Sequence, residues 1–147
     1  MKRKRLYLDN CCFNRPYDSQ ESVSVRIETI AKLAIQEKIR QGLFELCWSY
    51  ILDFENDNNI HLEKKIEIIK WKNLSIVDMT ENEEILNIMR RMVLIGLKPL
   101  DALHVGCAIS GGAEYFITVD KGILKYVPRI KEIRMLNPAV FIDEMEE

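Results

Sequence analysis

Lys98-Pro99-Leu100-Asp101-Ala102-Leu103-His104-Val105-Gly106-Cys107-Ala108 decides how the chain is read, because it sets one carboxylate at the front of an apolar helix. Pro99 suits a first helical position, where its missing N–H costs nothing, and this places Asp101 in the first turn. A negative charge there meets the positive end of the helix dipole. Beyond it, Leu103, Val105, Cys107, Ala108 and Ile109 cover nearly the whole circumference. That pattern predicts a central, buried helix whose acidic end faces a cleft or a loop. A lone acid in this position does no more than complement the dipole, so a function at Asp101 requires other acids to arrive at the same place.

Working outward, Gly111-Gly112 stops this helix, and Glu114–Thr118 reads as a strand leading within two residues to Asp120. A short helical turn at Lys121–Leu124, a strand at Ile133–Leu136 and a Pro138-led helix over Ala139–Glu144 follow. On the N-terminal side, Gly96 closes a helix through Ile85, Leu86, Ile88, Met89, Met92 and Val93, for which Thr80 and Glu83 form a capping box. Before it stands a short strand, Leu74–Val77. Arg5–Leu8 is an apolar run halted by Asp9-Asn10, as in a buried first strand, and Cys11–Ser19 reads as a loop. From Ser22 to Gly42, Val23, Ile27, Ile30, Ala31, Ala34 and Ile35 recur at helical spacing. Leu43–Trp48 is a second strand, and Ser49 caps the helix that leaves it. On that helix Ile51, Phe54, Glu55 and Asn58 share one face, so Glu55 is the acid among core-facing residues, whereas Asp53 and Asp57 read as solvated charges. His61–Lys70 continues as helix after a polar break at Asn56–Asn59.

With 147 residues, 48% of them hydrophobic, the chain is expected to form a single domain over residues 1–147 with a full core. A formal charge of −2 provides no bulk positive field for nonspecific nucleic-acid binding, and the run Lys2–Arg5 reads as a solubilising start to the first strand. Cys11, Cys12, Cys47 and Cys107 contain no C-x-x-C pair and read as reduced, buried small hydrophobes. No run reaches the roughly 18 apolar residues of a membrane span, and no apolar signal segment follows the basic start. A cytoplasmic protein is the expectation.

Strands alternating with helices in this order call for an α/β fold, a parallel sheet of about five strands flanked by helices in three layers. Ligands in such sheets bind beyond the carboxyl ends of the strands. Asp9 and Asp120 stand at such ends, Glu55 lies on the helix leaving the second strand, and Asp101 opens a helix running opposite to the strands. The four acids can therefore converge. Carboxylates gathered in one cleft repel each other and are tenable only with protons or cations, and oxygen ligands without clustered His or Cys select Mg²⁺ or Mn²⁺. One or two such ions bind a phosphodiester oxygen and lower the pKa of a bound water, which makes phosphodiester hydrolysis the natural reaction.

Leu6-Tyr7-Leu8-Asp9-Asn10, Ser49 through Glu55, Pro99-Leu100-Asp101-Ala102-Leu103-His104 and Phe116-Ile117-Thr118-Val119-Asp120 together resemble a PIN domain, from Arg5 to about Leu136. This is the fold of the toxin ribonucleases of bacterial toxin–antitoxin modules. The resemblance implies a three-layer PIN-like fold and a metal site made of Asp9, Glu55, Asp101 and Asp120. It implies Mg²⁺- or Mn²⁺-dependent endoribonuclease cleavage of single-stranded RNA, a homodimer, and an antitoxin protein as partner in a type II module. Asp9 and Asp101 would ligate the principal ion, Asp120 would complete the site or hold a second, and Glu55 would bind metal or orient the attacking water. Asn10, where the family often has Thr or Ser, and Thr118 would donate hydrogen bonds to the acids. His104 reads as a satisfied core histidine, Asn14 and Arg15 as turn chemistry, and Trp48, Trp71, Met89 and Met92 as packing. A PIN-like module that docks a partner without catalysis, and a metal-dependent DNA nuclease, stand as alternatives.

Overall fold

Five short strands, β1 (Lys4–Leu8), β2 (Phe44–Ser49), β3 (Val77–Met79), β4 (Tyr115–Ile117) and β5 (Arg134–Leu136), pair in parallel in the order β3-β2-β1-β4-β5 in the computed structural model, which describes residues 2–146. Leu6, Tyr7 and Leu8 are all fully buried, the continuous apolar run of a strand covered on both faces. Leu6 lies opposite Leu46 on one side and Tyr115 on the other. The chain leaves β1 toward β2 in one direction and reaches β4 in the other, so the order of the sheet reverses beside β1. A crevice at the carboxyl end of β1 is the consequence, and Asp9 is the first residue in it.

The helices are α1 (Asn10–Asn14), α2 (Val23–Arg40), α3 (Tyr50–Asp57), α4 (Leu62–Ile69), α5 (Glu83–Ile95), α6 (Pro99–Ser110), α7 (Lys121–Leu124) and α8 (Pro138–Met145). They flank the sheet, giving the three-layer α/β arrangement; α2 packs on α8 and β2, and α6 on α5, α3, β2 and β4. Ala102, His104, Val105, Gly106, Cys107 and Ala108 of α6 are buried, as its all-round apolar pattern requires. Gly106 sets how closely α5 approaches. A Cβ there would stand 2.9 Å from the Ile85 carbonyl oxygen and 3.3 Å from its Cγ2. Gly106→Ala is therefore expected to lower stability by about 1–3 kcal/mol through forced separation of the two helices, read as a lower urea midpoint at unchanged slope.

Several local expectations are corrected. Cys11–Ser19 is not all loop: the Asp9 carboxylate accepts the Asn10 N–H at 2.8 Å and so caps α1, which runs into a 3₁₀ turn over Arg15–Tyr17. Arg15 is held by Glu28 and Asp18, and Glu28 also accepts from Asn137 at the start of α8. The third strand begins at Val77, because Lys70–Leu74 forms a second 3₁₀ turn and Val77 is the residue opposite Cys47. Asn82, not Thr80, caps α5, accepting the Ile85 N–H at 2.8 Å. Phe54 is 56% exposed and Asn58 is exposed too, so the inner face of α3 consists of Ile51, Leu52 and Asn56 with Glu55 beside them. Asp53 is no free surface charge; it accepts from the Trp48 indole at 2.9 Å and from Lys72 at 3.0 Å. Arg5 clamps Glu45 and the Gly111 carbonyl. All four cysteines are free, and Cys11 is half-buried. Among the described residues no helix is long and apolar enough to cross a membrane.

Helix α2 differs most. Val23, Ile27 and Ile30 are exposed, and the buried face is Ala31, Lys32, Ile35, Gln36 and Ile39. Burial pulls the Lys32 ammonium down to about 8 from its ordinary value. Below that pH the folded state bears a buried charge that the unfolded chain hydrates; between about pH 8 and 10.5 the unfolded state binds more protons, so this cost fades as pH rises. Lys32→Met is accordingly expected to be more stable than the parent by on the order of 2 kcal/mol at neutral pH, an advantage that shrinks toward pH 10.5 in paired denaturation curves.

Candidate metal centre

The site is assembled from the ends of four elements. Asp9 follows the last residue of β1, and its carboxylate is fixed three ways: Oδ1 accepts the Asn10 N–H at 2.8 Å, and Oδ2 accepts from Thr118 Oγ1 at 2.8 Å and Cys11 Sγ at 3.3 Å. Thr118 thus donates its hydroxyl to the Asp9 carboxylate. Asn10 makes its contact through the backbone, and its side-chain Oδ1 is buried with no hydrogen-bond partner among the described residues. Cys11 stays a protonated donor: the hydrogen-bonding interaction with the neighbouring Cys12 thiol, burial, and the Asp9 charge all push its thiol well up.

Glu55 comes from α3. Ser49 opens this helix by accepting the Leu52 N–H at 3.2 Å, and the same hydroxyl lies 2.7 Å from the Tyr7 phenol. Tyr7 in turn meets His104 Nδ1 at 2.6 Å, and His104 Nε2 is hydrogen-bonded to Glu55 Oε1. One continuous relay therefore joins the cap of α3 to the acid that α3 carries. Tyr7 stays neutral, since burial raises its pKa well above the ordinary value.

His104 is 1% exposed, which by itself would lower its pKa, but the bond to Glu55 and the charges of Asp9, Glu55 and Asp101 outweigh burial and hold it above the usual value. In the protonated form both ring nitrogens donate, Nδ1–H to Tyr7 and Nε2–H to Glu55, which leaves the Tyr7 hydroxyl to donate to Ser49. His104 is thus a buried, hydrogen-bonded histidine, as its sequence context predicts, but its partners belong to the acidic group. Its Nε2 is 3.8 Å from Asp9 Oδ1, and ligand atoms of Asp9, Glu55 and His104 all lie within 4.8 Å of one another. The pattern available in the sequence was helical spacing: His104 stands three residues after Asp101, on the same face of α6. Tyr7 is likewise two residues before Asp9 on the strand.

Asp101 and Asp120 are half-buried and line one cleft of about 190 Å³ with Gly96, Lys98, Gly122, Lys125 and Tyr126. Asp120 caps α7, its Oδ1 accepting the Gly122 N–H at 2.7 Å, and its own N–H donates to Thr118 Oγ1 at 3.0 Å. Thr118 therefore ties Asp9 to Asp120. Gly96, at φ +134°, has to be glycine on two counts, since a Cβ would also run into the Tyr126 ring at 2.8 Å. The Asp101 carboxyl is raised by burial, then by Asp9 and Asp120, with Glu55 adding a little and His104 opposing. Asp9, Glu55 and His104 form the tight group, and Asp101 and Asp120 both line the cleft of about 190 Å³.

An oxygen-rich set of this kind, with one acid raised by burial and by its neighbouring carboxylates and a histidine as counter-charge, is chemically suited to a hard divalent cation. No protein-family model and no characterised protein matches the sequence. Solved structures do match. FitAcB from Neisseria gonorrhoeae aligns over 90% of this chain and 97% of that one with a TM-score of 0.61 at 13% identity. DNA-bound VapBC from Salmonella typhimurium aligns over 92% and 98% (0.58, 16% identity), and VapBC2 from Rickettsia felis, bound to a DNA fragment from their promoter, over 90% and 98% (0.55, 12% identity). With a five-stranded parallel sheet in this order and helices on its two faces, the chain has a PIN-like fold.

Proposed function

We propose that the protein is a metal-dependent endoribonuclease that hydrolyses single-stranded RNA and acts as the toxin of a type II toxin–antitoxin module. The observation that carries this reading is the meeting of Asp9, Glu55 and His104 within 4.8 Å, with Asp101 and Asp120 lining one cleft and Thr118 tying Asp120 to Asp9. In this reading Asp9, Glu55 and Asp101 hold Mg²⁺ or Mn²⁺, and Asp120 completes the site. A divalent ion bound there supplies the positive charge and activated water that phosphodiester hydrolysis needs. Thr118 and Cys11 hold the Asp9 carboxylate at a fixed angle, and the Ser49–Tyr7–His104 relay holds Glu55. Lys98 and Lys125, on the wall of the cleft, are placed to meet the phosphates of a strand entering it. The likeness to FitAcB and VapBC supports the toxin role and an antitoxin partner, whereas the homodimer rests on the family resemblance alone.

Purified protein incubated with labelled single-stranded RNA and DNA, in Mn²⁺ or EDTA, tests the reading. Cutting of RNA alone, only with the ion, and its loss in Asp101→Asn are the expected results. Preference for DNA would make the protein a DNA nuclease. No cutting of either by folded protein would leave a PIN-like docking module.

A further inference from the structure

Away from the acidic cleft, α1, α2, α4 and the two 3₁₀ turns enclose another cavity, of about 180 Å³, walled by Phe13, Tyr17, Lys32, Gln36, Ile68 and Trp71. Its buried polar residues, Lys32 and Gln36, stand four positions apart on the buried face of α2, and between them they bring the Lys32 ammonium and the Gln36 amide N–H to the cavity. Lys32 is 4% exposed, belongs to no ion pair among the described residues, and has its ammonium 5.6 Å from the centroid of the Phe13 ring. Gln36 is also 4% exposed, and its Nε2 has no hydrogen-bond partner among the described residues. Gln36 Nε2 is thus a buried donor without an acceptor, and the Lys32 ammonium sits in a largely buried residue with no anion paired to it among the described residues, and each costs stability that an apolar side chain at its position would not. An acceptor arriving from outside removes that cost.

We propose that this cavity binds a monocarboxylate with a small apolar or aryl tail, one oxygen on Lys32 Nζ and the other on Gln36 Nε2, the tail against Phe13, Tyr17, Trp71 and Ile68. A planar carboxylate has two acceptor oxygens, one for each donor. A phosphate dianion carries more charge and more acceptor sites than they satisfy, and Glu67, on the same wall, disfavours a second negative charge. Glu67 does not serve as Lys32's own partner; it pairs with Lys70 at 2.8 Å. With its ammonium held at about 8 by burial, Lys32 is largely charged at neutral pH and ready to pair. The volume is below that of drug-sized pockets and suits a small acid, whether free or presented as an acidic side chain of a bound peptide.

Benzoate titrated into isotope-labelled protein, followed at the Gln36 side-chain amide by NMR, tests this. Benzoate should produce a saturable shift, benzyl alcohol none, and Lys32→Met should weaken the binding by about tenfold or more. That variant is expected to fold, because it removes a buried charge. Gln36→Leu, followed at the Trp71 indole, should show a comparable loss. A blocked peptide with a single Glu distinguishes the source: competition with benzoate identifies a protein side chain, and its absence identifies a free acid, each supporting a carboxylate site. No saturable shift with benzoate, an equal shift in Lys32→Met, or an equal response to benzyl alcohol or inorganic phosphate would overturn it.

Discussion

Asp9→Asn should lose RNA cleavage by more than about a hundredfold, since losing a carboxylate that holds the ion exceeds the 10–100-fold typical of changes one layer further out. The fold should survive. Asparagine keeps an Oδ1 that can accept the Asn10 N–H and cap α1, and its amide can donate to Thr118 Oγ1, whose hydroxyl rotates to accept. Cleavage assays in Mn²⁺ beside thermal unfolding curves check both halves. An Asp9→Asn protein that cuts RNA at the parental rate would remove Asp9 from the chemistry, and one that has unfolded would show only that the cap matters.

Trp48→Ala should cost about 3–5 kcal/mol of unfolding free energy, a large part of the 5–15 kcal/mol typical of a domain. Trp48 is fully buried, meets Phe13 edge-on at 5.4 Å between centroids, and donates its indole N–H to Asp53, which in turn holds Lys72. Truncation therefore leaves a cavity and strands a half-buried carboxylate with one partner fewer. Trp48→Phe fills most of the space and should recover much of the loss. Urea unfolding of the three proteins measures it, and a Trp48→Ala midpoint equal to the parent's would contradict the core described here.

The signals legible in the sequence were those carried by covalent pattern. Pro99 and the unbroken apolar circumference of Leu103–Ile109 identified a buried helix with Asp101 at its head, and the runs ending in Asp9 and near Asp120 identified strand termini. What escaped was set by tertiary packing. Lys32 and Gln36 lie on the buried side of α2 while Ile27 and Ile30 face outward, an arrangement that helical periodicity reads the other way round. Phe54 is turned out and Asp53 drawn in because the Trp48 indole needs an acceptor. The third strand moved three residues along because strand pairing, not local apolarity, chooses which residues join a sheet edge. Of the candidate site, the four acids could be proposed from order and spacing alone, but the Ser49–Tyr7–His104 relay to Glu55 could not, since it joins residues from β1, β2, α3 and α6 that meet only in the folded chain.

The proposed chemistry requires above all a divalent cation residing where β1, α3 and α6 meet. A crystal soaked in Mn²⁺, with anomalous data collected at a wavelength where manganese scatters strongly, is the direct measurement. A peak within bonding distance of carboxylate oxygens of Asp9 and at least one of Glu55, Asp101 and Asp120 is the expected result. Saturating Mn²⁺ that leaves those oxygens bare, with His104 still bonded to Glu55 and manganese only on outlying acids, would contradict it.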